Sequence, residues 1–375
     1  MYQVHHKNMT DENSTANQTT ISSTGEAASD AFFDPSWPLL LAVQFYFQYA
    51  VIAVGIFGAI TNALVLYALI AQHVRAVKKR LINLPIINQN LLDLTCCILL
   101  VISICIQNSS IYVMGAFGYF VCTIFINNTA AHCVLYGSIT NLVALTVERY
   151  LKVVHPFWSK KNLKRWMVYA EMAFTWIVGI VYAGPVSFIT ARVEDGLCTA
   201  YYELPGSQWI LWSCNMVLFF IFPLIAFIYC YGRIVVVMKR QMRVMAGHNP
   251  EGSTQMNASK AQSKRLKYNI IKTMIIVSVA FIACWFPHNI YFLILTYSEP
   301  SVYLIVGYYL MVFLVYLNVC MNPFIYATKH EGVKHQLARL VFCRKATEVG
   351  DSSGSSGRPI RTDGTHPSHV GVTHR

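Results

Sequence analysis

The sequence has few charged residues, and long stretches of it contain almost none. Only 12% of its 375 residues are Asp, Glu, Lys or Arg, whereas 55% are hydrophobic. Soluble domains carry about 25% charged and about 45–50% apolar residues. The only acidic residues inside the apolar stretches are Asp93 and Glu171. This scarcity of charge argues against an ordinary soluble protein and indicates a chain that faces lipid.

Seven apolar stretches are each long enough to cross a membrane as a helix, which takes about 20 residues. A β-barrel would instead show short segments of alternating hydrophobicity. The predicted fold class is all-α: an integral membrane bundle of seven transmembrane helices, followed by a short amphipathic helix at 332–342. The predicted spans are Leu39–Ala71, Leu81–Gln107, Tyr119–Val147, Trp166–Thr190, Trp209–Met238, Thr273–Tyr297 and Val302–Thr328.

The distribution of basic residues predicts the orientation, because positively charged loops tend to stay on the cytoplasmic side. Lys and Arg concentrate after the first, third and fifth stretches, and the alternate connections are nearly bare of them, with Arg192 the exception. We therefore expect a multi-pass protein of the plasma membrane, with its N-terminus outside. This topology also accounts for the net charge of +12, so no nucleic-acid partner is expected.

The two ends of the chain differ in composition from the bundle. Residues 1–38 are polar and carry glycosylation acceptors at Asn8, Asn13 and Asn17, which predicts a disordered extracellular segment. Residues 39–343 form the predicted seven-span domain with its amphipathic helix. Residues 344–375 are rich in Ser, Thr and Gly and predict a disordered cytoplasmic tail. The connection from Met245 to Ser263 has a similar composition, and we expect disorder there too.

Three cysteines lie where their chemistry can matter. Cys122 begins the third stretch and Cys198 lies in the loop after the fourth, so both are predicted on the outer, oxidising side, where a disulfide can persist. A bridge between them would tie this loop over the bundle. Cys343 follows the amphipathic segment and suits palmitoylation at the membrane surface; an unmodified thiol is the alternative.

Three motifs fall in order along the predicted spans: Glu148-Arg149-Tyr150, Cys284-Trp285-Phe286-Pro287 and Asn322-Pro323-Phe324-Ile325-Tyr326. They are similar to the Asp/Glu-Arg-Tyr, Cys-Trp-x-Pro and Asn-Pro-x-x-Tyr signatures of the rhodopsin-like G-protein-coupled receptors. The resemblance covers about Gln44 to Cys343 and implies a receptor, not an enzyme, with no catalytic residues. Further matches stand in the remaining spans, at Asn62, Asp93, Trp176, Pro223 and Tyr231.

The resemblance also implies a conformational switch that couples ligand binding to a G protein. Arg149 would pair with Glu148 at rest, and the sixth helix would move outward about Pro287. Both Pro287 and Pro323 remove a backbone hydrogen bond and so bend their helices. The acid that some relatives place at the inner end of the sixth helix is replaced by basic residues in 264–267, which leaves room for basal activity. The predicted switch residues are Glu148, Arg149, Tyr150, Tyr231, Trp285, Pro287, Asn322, Pro323 and Tyr326.

Asp93 is an ionisable residue within a span, where such groups face the bundle interior and find partners. Asn62, Asn318 and Asn322 are candidate neighbours. The resemblance implies that this polar cluster holds a sodium ion in the resting state; a hydrogen-bonded carboxyl group without an ion is the alternative. No other cofactor and no other metal site is expected.

Two spacings depart from the family pattern. Cys122 lies about two residues farther from Arg149 than is usual, and the connection between Asn62 and Asp93 is longer by about three residues. The first departure bears on the geometry of the disulfide. The second lengthens an inner loop.

Two ligand classes are disfavoured by single positions. Ala131 stands where amine receptors of this family place an Asp, and Tyr316 stands where opsins place the Lys that binds retinal. The candidate pocket residues are polar but uncharged, and Glu194, Asp195 and Glu203 lie in the loop above them. The predicted pocket residues are His132, Tyr136, Asn215, His288, Asn289, Phe292, Tyr308 and Tyr316.

This arrangement favours a peptide ligand, and the residues around Trp285 are similar to those of peptide receptors such as the galanin receptors. A small neutral or lipid ligand and a constitutively active orphan receptor are the alternatives. A transporter or channel is a more distant alternative. Two isolated acidic residues within the spans could mark an ion path, but the sequence shows no inverted repeats or interrupted half-helices. Expected partners are a heterotrimeric G protein, membrane lipid, receptor kinases, and arrestin recruited by phosphorylation of the tail at Ser352, Ser353, Ser355 and Ser356.

Overall fold

The computed structural model describes residues 37–75, 84–109, 111–200, 207–246, 254–297, 302–329, 333–334 and 336–338. Within these ranges, seven helical stretches are long and apolar enough to cross a membrane. The predicted all-α seven-span bundle is therefore confirmed. The helices are Trp37–Arg75, Leu84–Gln107, Gly115–Val121, Thr129–Val154, Pro156–Asn162, Arg165–Thr190, Ser207–Met216, Phe222–Ala246, Thr254–Tyr297 and Val302–Lys329, with π-helical turns at Cys122–Ile126 and Val217–Ile221 inside the third and fifth spans.

The sixth helix is much longer than predicted. It begins at Thr254, whereas the sequence predicted a span from Thr273 and disorder between Met245 and Ser263. The prediction of disorder is wrong from Thr254 onward. Lys, Gln, Ala and Met in this segment are good helix formers, and extending an existing helix avoids the cost of nucleation.

The bundle has polar side chains inside and apolar side chains outside. On the first span, Asn62 is completely buried, whereas Ile60 and Leu64 are 56% and 47% exposed. Outward-facing apolar residues recur on the other spans, as at Ile177 and Ile228. Such a surface is suited to contact with lipid, which agrees with the predicted membrane location.

The third and fourth spans approach each other closely through glycine. A methyl group on Gly179 would lie 1.9 Å from the carbonyl oxygen of Cys133, and one on Gly137 would lie 3.0 Å from the carbonyl oxygen of Thr175. Small residues allow helix backbones to approach in this way inside membranes. The contact fixes the position of the third span, which carries residues of both sites described below.

A β-hairpin and a disulfide mark one end of the bundle, called the disulfide end below. Strands Ala191–Glu194 and Leu197–Ala200 pair antiparallel, and their turn places Asp195 and Gly196 at φ values of 52° and 77°. The predicted disulfide between Cys122 and Cys198 is present, with Cα atoms 5.4 Å apart. The opposite end carries Glu148 and Arg149 and is called the Arg149 end.

Only part of the segment after the seventh span is described. Residues 333–334 and 336–338 are helical, and Val333 is buried against the bundle. The glycosylation acceptors Asn8, Asn13 and Asn17, the lipidation site Cys343, the tail 344–375 and Glu203 lie outside the described residues.

Candidate functional site

A cavity of about 890 Å³ lies between the spans toward the disulfide end. All of the predicted pocket residues line this one cavity, namely His132, Tyr136, Asn215, His288, Asn289, Phe292, Tyr308 and Tyr316. Their convergence follows from helical periodicity, which places residues three and four positions apart on one face of each helix.

Aromatic rings form much of the cavity wall. Tyr136 packs against Tyr182, with ring centroids 5.0 Å apart, and Trp212 meets Phe292 edge-on at 4.2 Å. Trp285 is only 4% exposed and its ring lies 6.0 Å from that of His288. The cavity therefore offers broad apolar contact together with a few polar atoms.

No described side chain that lines the cavity belongs to Asp, Glu, Lys or Arg. Several buried polar atoms of the lining have no hydrogen-bond partner among the described residues, and such atoms are unfavourable unless something satisfies them. They are Asn127 Nδ2, Asn128 Oδ1, Asn215 Oδ1, Trp285 Nε1 and His288 Nδ1.

Two of these residues, Asn127 and Asn128, were missed in the sequence. They lie where the third span is broken: Asn128 has a φ of 55°, in the left-handed region that Asn tolerates better than most residues. Asn128 precedes the helix that starts at Thr129, yet its side chain makes no capping hydrogen bond. Two adjacent asparagines within an apolar stretch were the available signal.

Hydrogen bonds satisfy the backbone at this break, as a break at membrane depth requires. The amide of Asn127 donates to the carbonyl of Cys122 at 2.9 Å, five residues back, which makes the turn π-helical. Gln107 on the second span donates through Nε2 to the carbonyl of Ile126 at 3.0 Å, and the Thr129 hydroxyl donates to the carbonyl of Thr123. The wide turn and the break absorb the extra residues between Cys122 and Arg149, so the disulfide forms despite the unusual spacing.

A second polar site surrounds Asp93, which is completely buried. Its carboxylate accepts hydrogen bonds from Asn322 Nδ2 at 2.8 Å, Ser138 Oγ at 2.7 Å and Gln89 Nε2 at 3.2 Å. Of the three predicted neighbours only Asn322 bonds directly to Asp93. Ser138 was not predicted, because it lies on another span and no local pattern links it to Asp93. Gln89 was also missed, although it lies four residues before Asp93 in the same helix, a spacing at which side chains meet.

The other predicted members of this cluster, Asn62 and Asn318, are buried but do not bond to the carboxylate of Asp93. Asn62 donates to the carbonyls of Gly58 and Val319, at 3.0 and 3.3 Å, which ties the first span to the seventh. The amide oxygens of Asn62 and Asn318 are buried and have no hydrogen-bond partner among the described residues.

The hydrogen bonds at Asp93 continue across the bundle to the fourth span. Asn141 donates to Gln89 Oε1 at 2.8 Å, and Asn88 donates to Asn141 Oδ1 at 2.8 Å. Asn88 also accepts a hydrogen bond from Trp176 Nε1 at 3.1 Å. Second, third, fourth and seventh spans are therefore joined by one buried polar network.

At the Arg149 end, Glu148 and Arg149 are both buried, with 5% and 6% exposure. Arg149 Nε lies 3.6 Å from Glu148 Oε2, whereas Lys152 Nζ contacts Oε1 of the same carboxylate. Glu171 on the fourth span lies within electrostatic range of these three groups. Glu148 therefore interacts with two cations, and the sequence had predicted only Arg149.

The remaining predicted switch residues lie on the third, fifth, sixth and seventh spans. The hydroxyl of Tyr231 is 3.0 Å from that of Thr146 and accepts a hydrogen bond from Ser278 at 3.3 Å. Tyr326 is completely buried, and Tyr150 lies near His155, with its hydroxyl 3.4 Å from Nε2. Pro287 and Pro323 are inside the sixth and seventh helices, as predicted.

Comparison with known proteins decides the family. The chain matches the family described as "7 transmembrane receptor (rhodopsin family)" over residues 61–326, a range that contains every switch residue. The chain belongs to this family. Membership makes it a multi-pass membrane receptor, not an enzyme, and coupling to G proteins is implied by the family.

Individual relatives of this rhodopsin-family receptor are distant. It is 29% identical to a substance-K receptor of Bos taurus over 309 residues, which cover 79% of this chain and 74% of the relative. It is 24% identical to somatostatin receptor type 5 of Rattus norvegicus over 318 residues, which cover 83% and 81% of the two chains.

Proposed function

We propose that the receptor binds an extracellular peptide in the cavity at the disulfide end and activates a heterotrimeric G protein at the Arg149 end. The observation that carries this proposal is the cavity of about 890 Å³, large enough for several residues of a peptide and lined by all the predicted pocket residues. The relatives named for substance K and somatostatin, both peptides, support the same ligand class.

The proposed orientation places the disulfide end outside the cell and the Arg149 end in the cytoplasm of a plasma-membrane protein. The basic residues after the first, third and fifth spans support it, because such loops stay cytoplasmic. A disulfide also persists on the oxidising side.

In the proposed mechanism, a peptide acts on Trp285 at the base of the cavity and biases the sixth helix to move outward about Pro287. Trp285 is well placed for this role, because its ring lies 5.7 Å from Phe281 and next to His288, which lines the cavity. The movement would open a cleft around Arg149 for the G protein. A ligand shifts this equilibrium only by its difference in affinity between the two states.

A sodium ion at Asp93 is part of the proposal. Oxygen ligands suit a hard cation, and the buried amide oxygens of Asn62 and Asn318 lack other partners among the described residues. Gln89 donates to both oxygens of Asp93, at 3.2 and 3.4 Å, and so competes with the ion. Bound sodium would neutralise the carboxylate and favour the resting state.

Three further partners are proposed from composition. Receptor kinases would phosphorylate the serine-rich tail, at Ser352, Ser353, Ser355 and Ser356, and arrestin would bind the phosphorylated tail. Membrane lipid would cover the apolar outer faces of the spans. Truncation after Cys343 is expected to abolish arrestin recruitment; unchanged recruitment would contradict this part of the proposal.

The experiment that tests the proposed function is guanine-nucleotide exchange on a G protein in membranes that contain the receptor, with and without a peptide library. Arg149→Ala at matched surface expression serves as the control. We expect exchange that rises with a peptide and is lost in the variant. Exchange without any peptide response would favour a constitutively active receptor or one with a small neutral or lipid ligand.

A further inference from the structure

The cavity has the polar atoms and the neutrality that suit one particular end of a peptide. Building on the proposed function, we propose that the cavity takes the C-terminal carboxamide of an amidated peptide whose last side chain is aromatic or aliphatic. The carboxamide would lie beside Asn127 and Asn128, where the third span is broken.

The first argument is charge. An unmodified peptide has an ammonium group at its N-terminus and a carboxylate group at its C-terminus. Burying either group without a counter-charge is costly. None of the described side chains that line the cavity belongs to Asp, Glu, Lys or Arg, so no permanently charged group is present to balance either terminus. A carboxamide end is neutral, so it can leave water without this cost.

The second argument is the mixture of unsatisfied donors and acceptors. Asn127 Nδ2 and Trp285 Nε1 are donors without partners among the described residues, whereas Asn128 Oδ1 and Asn215 Oδ1 are acceptors without partners. A carboxylate only accepts hydrogen bonds and an ammonium only donates them, so each would satisfy one kind of atom alone. A primary carboxamide donates two hydrogens and accepts at its oxygen, and it therefore suits both kinds.

The third argument is the position of these atoms in the fold. Asn127 Nδ2 and Asn128 Oδ1 are both buried and belong to consecutive residues, so an unsatisfied donor and an unsatisfied acceptor lie close together along the chain. The break at Asn128 leaves its side chain without a capping hydrogen bond. In an unbroken third span these two consecutive asparagines would point to different faces, because successive residues on a helix lie about 100° apart. The break brings both of them to the cavity.

The last side chain of the peptide would meet the aromatic part of the wall. Tyr136 and Tyr182 pack within 5.0 Å of each other, and Trp212 and Phe292 form a second pair at 4.2 Å. Aromatic surfaces of this kind favour aromatic or aliphatic partners. The preceding residues would run toward the hairpin, where Asp195 is exposed and would attract a basic side chain.

The test uses matched pools of N-acetylated pentapeptides that differ only at their C-terminus, which is either a carboxamide or a free acid. Each peptide begins with Arg and ends with Phe, Tyr, Trp, Leu, Ile or Met, and the three middle positions vary. Binding to the purified full-length receptor in lipid nanodiscs is measured as an increase in its unfolding temperature, and peptides from active pools are then measured singly. We expect each bound amide to have about tenfold or higher affinity than its acid.

Two variants of Asn127 locate the preference. Asn127→Ala is expected to weaken binding of the amide by about fivefold to tenfold while leaving the acid unchanged, because only the amide uses this side chain well. Asn127→Lys adds a positive charge and is expected to reverse the preference, so that the acid binds more tightly. Asn162→Ala, which removes an asparagine at the Arg149 end, is the matched control and is expected to change neither affinity.

Several results would overturn the inference. Equal affinity for amides and acids, tighter binding of acids to the unsubstituted receptor, or no binding from either pool would each contradict it. A parallel loss of both affinities in Asn127→Ala would mean that Asn127 only maintains the structure. Failure of the proposed function has a different signature: a bound amide would then stabilise the receptor without raising nucleotide exchange.

Discussion

Lys152 and Glu148 form a salt bridge one helical turn apart, and Arg149 shares the same carboxylate from its other side. Arg149 Nε lies 3.6 Å from Glu148 Oε2, which is beyond ordinary hydrogen-bonding distance. Lys152 thus competes with Arg149 for the group that is proposed to hold Arg149 at rest. Together with the basic residues at 264–267, this competition favours a receptor that is incompletely held in its resting state.

Replacing Lys152 should therefore lower the basal activity of the receptor. In Lys152→Ala, Glu148 can pair only with Arg149 among these two cations, and we expect basal nucleotide exchange to fall by about twofold to fivefold. This factor corresponds to about 0.5–1 kcal/mol, the contribution of a partly exposed ion pair. Exchange is measured without ligand at matched surface expression. Lys160→Ala, at an exposed position in the adjacent short helix, is the control. Unchanged or increased basal exchange in Lys152→Ala would show that Lys152 does not weaken the hold on Arg149.

Gln89 should control the response to sodium. Gln89→Leu removes the amide that donates to Asp93, so a sodium ion would face less competition for the carboxylate. We expect the sodium concentration that half-suppresses basal exchange to fall by about tenfold, equivalent to about 1.4 kcal/mol and close to the contribution of one hydrogen bond to a charged group. Choline chloride replaces sodium chloride to keep ionic strength constant.

Asp93→Asn is the companion variant for this experiment, because it removes the charge that binds the ion. We expect its basal exchange to be insensitive to sodium. If Gln89→Leu leaves the sodium response unchanged, Gln89 does not compete with the ion. If the unsubstituted receptor and Gln89→Leu both ignore sodium, Asp93 is a hydrogen-bonded carboxyl group only.

The polar network around Asn88 should contribute to stability. Asn88 is 1% exposed and contacts Asn141, Thr175 and Trp176. Asn88→Ala leaves buried partners unsatisfied, and we expect the free energy of unfolding to fall by about 1–3 kcal/mol. Thermal unfolding of the purified receptor in one detergent measures the effect, with Asn162→Ala as the control. Equal unfolding temperatures for the two variants would mean that water replaces the lost hydrogen bonds at no cost.

Features that depend on hydrophobic periodicity could be predicted from the sequence. The seven spans follow from long apolar stretches, and the pocket residues converge because each lies on the inward face of a regular helix. His132 and Tyr136 share one face of the third span, and His288 and Phe292 share one face of the sixth. Because the helices are regular at these positions, the spacing of the residues in the sequence predicts which of them face the cavity.

Features that depend on a hydrogen bond between two spans could not be predicted from the sequence. The break at Asn128 needs Gln107, on another span, to satisfy the carbonyl of Ile126. Ser138 reaches Asp93 from the third span, at 2.7 Å, so this contact depends on how two spans pack together. No local pattern predicts either contact. Gln89 and Lys152, by contrast, each lie four residues along the same helix from the carboxylate that they contact, and that spacing was an available signal.

The contact between the third and fourth spans depends on Gly179. A methyl group on Gly179 would lie 1.9 Å from the carbonyl oxygen of Cys133 and 3.0 Å from the amide nitrogen of Gly137, so backbone would have to move to accommodate it. A methyl group on Gly232, in the fifth span, would meet nothing within 4 Å. The two positions thus differ in packing, although both lie inside transmembrane helices.

Gly179→Ala should therefore separate the third span from the fourth, and we expect a loss of about 1–3 kcal/mol of stability from this overpacking. Gly232→Ala should be neutral or slightly stabilising, because alanine is the better helix former by about 1 kcal/mol. Surface expression in cells and thermal unfolding of the purified receptor measure both variants. Gly179→Ala should also weaken peptide binding, because the third span positions His132 and Tyr136 in the cavity wall. Equal stability and equal expression of the two variants would mean that the third and fourth spans can move apart without cost.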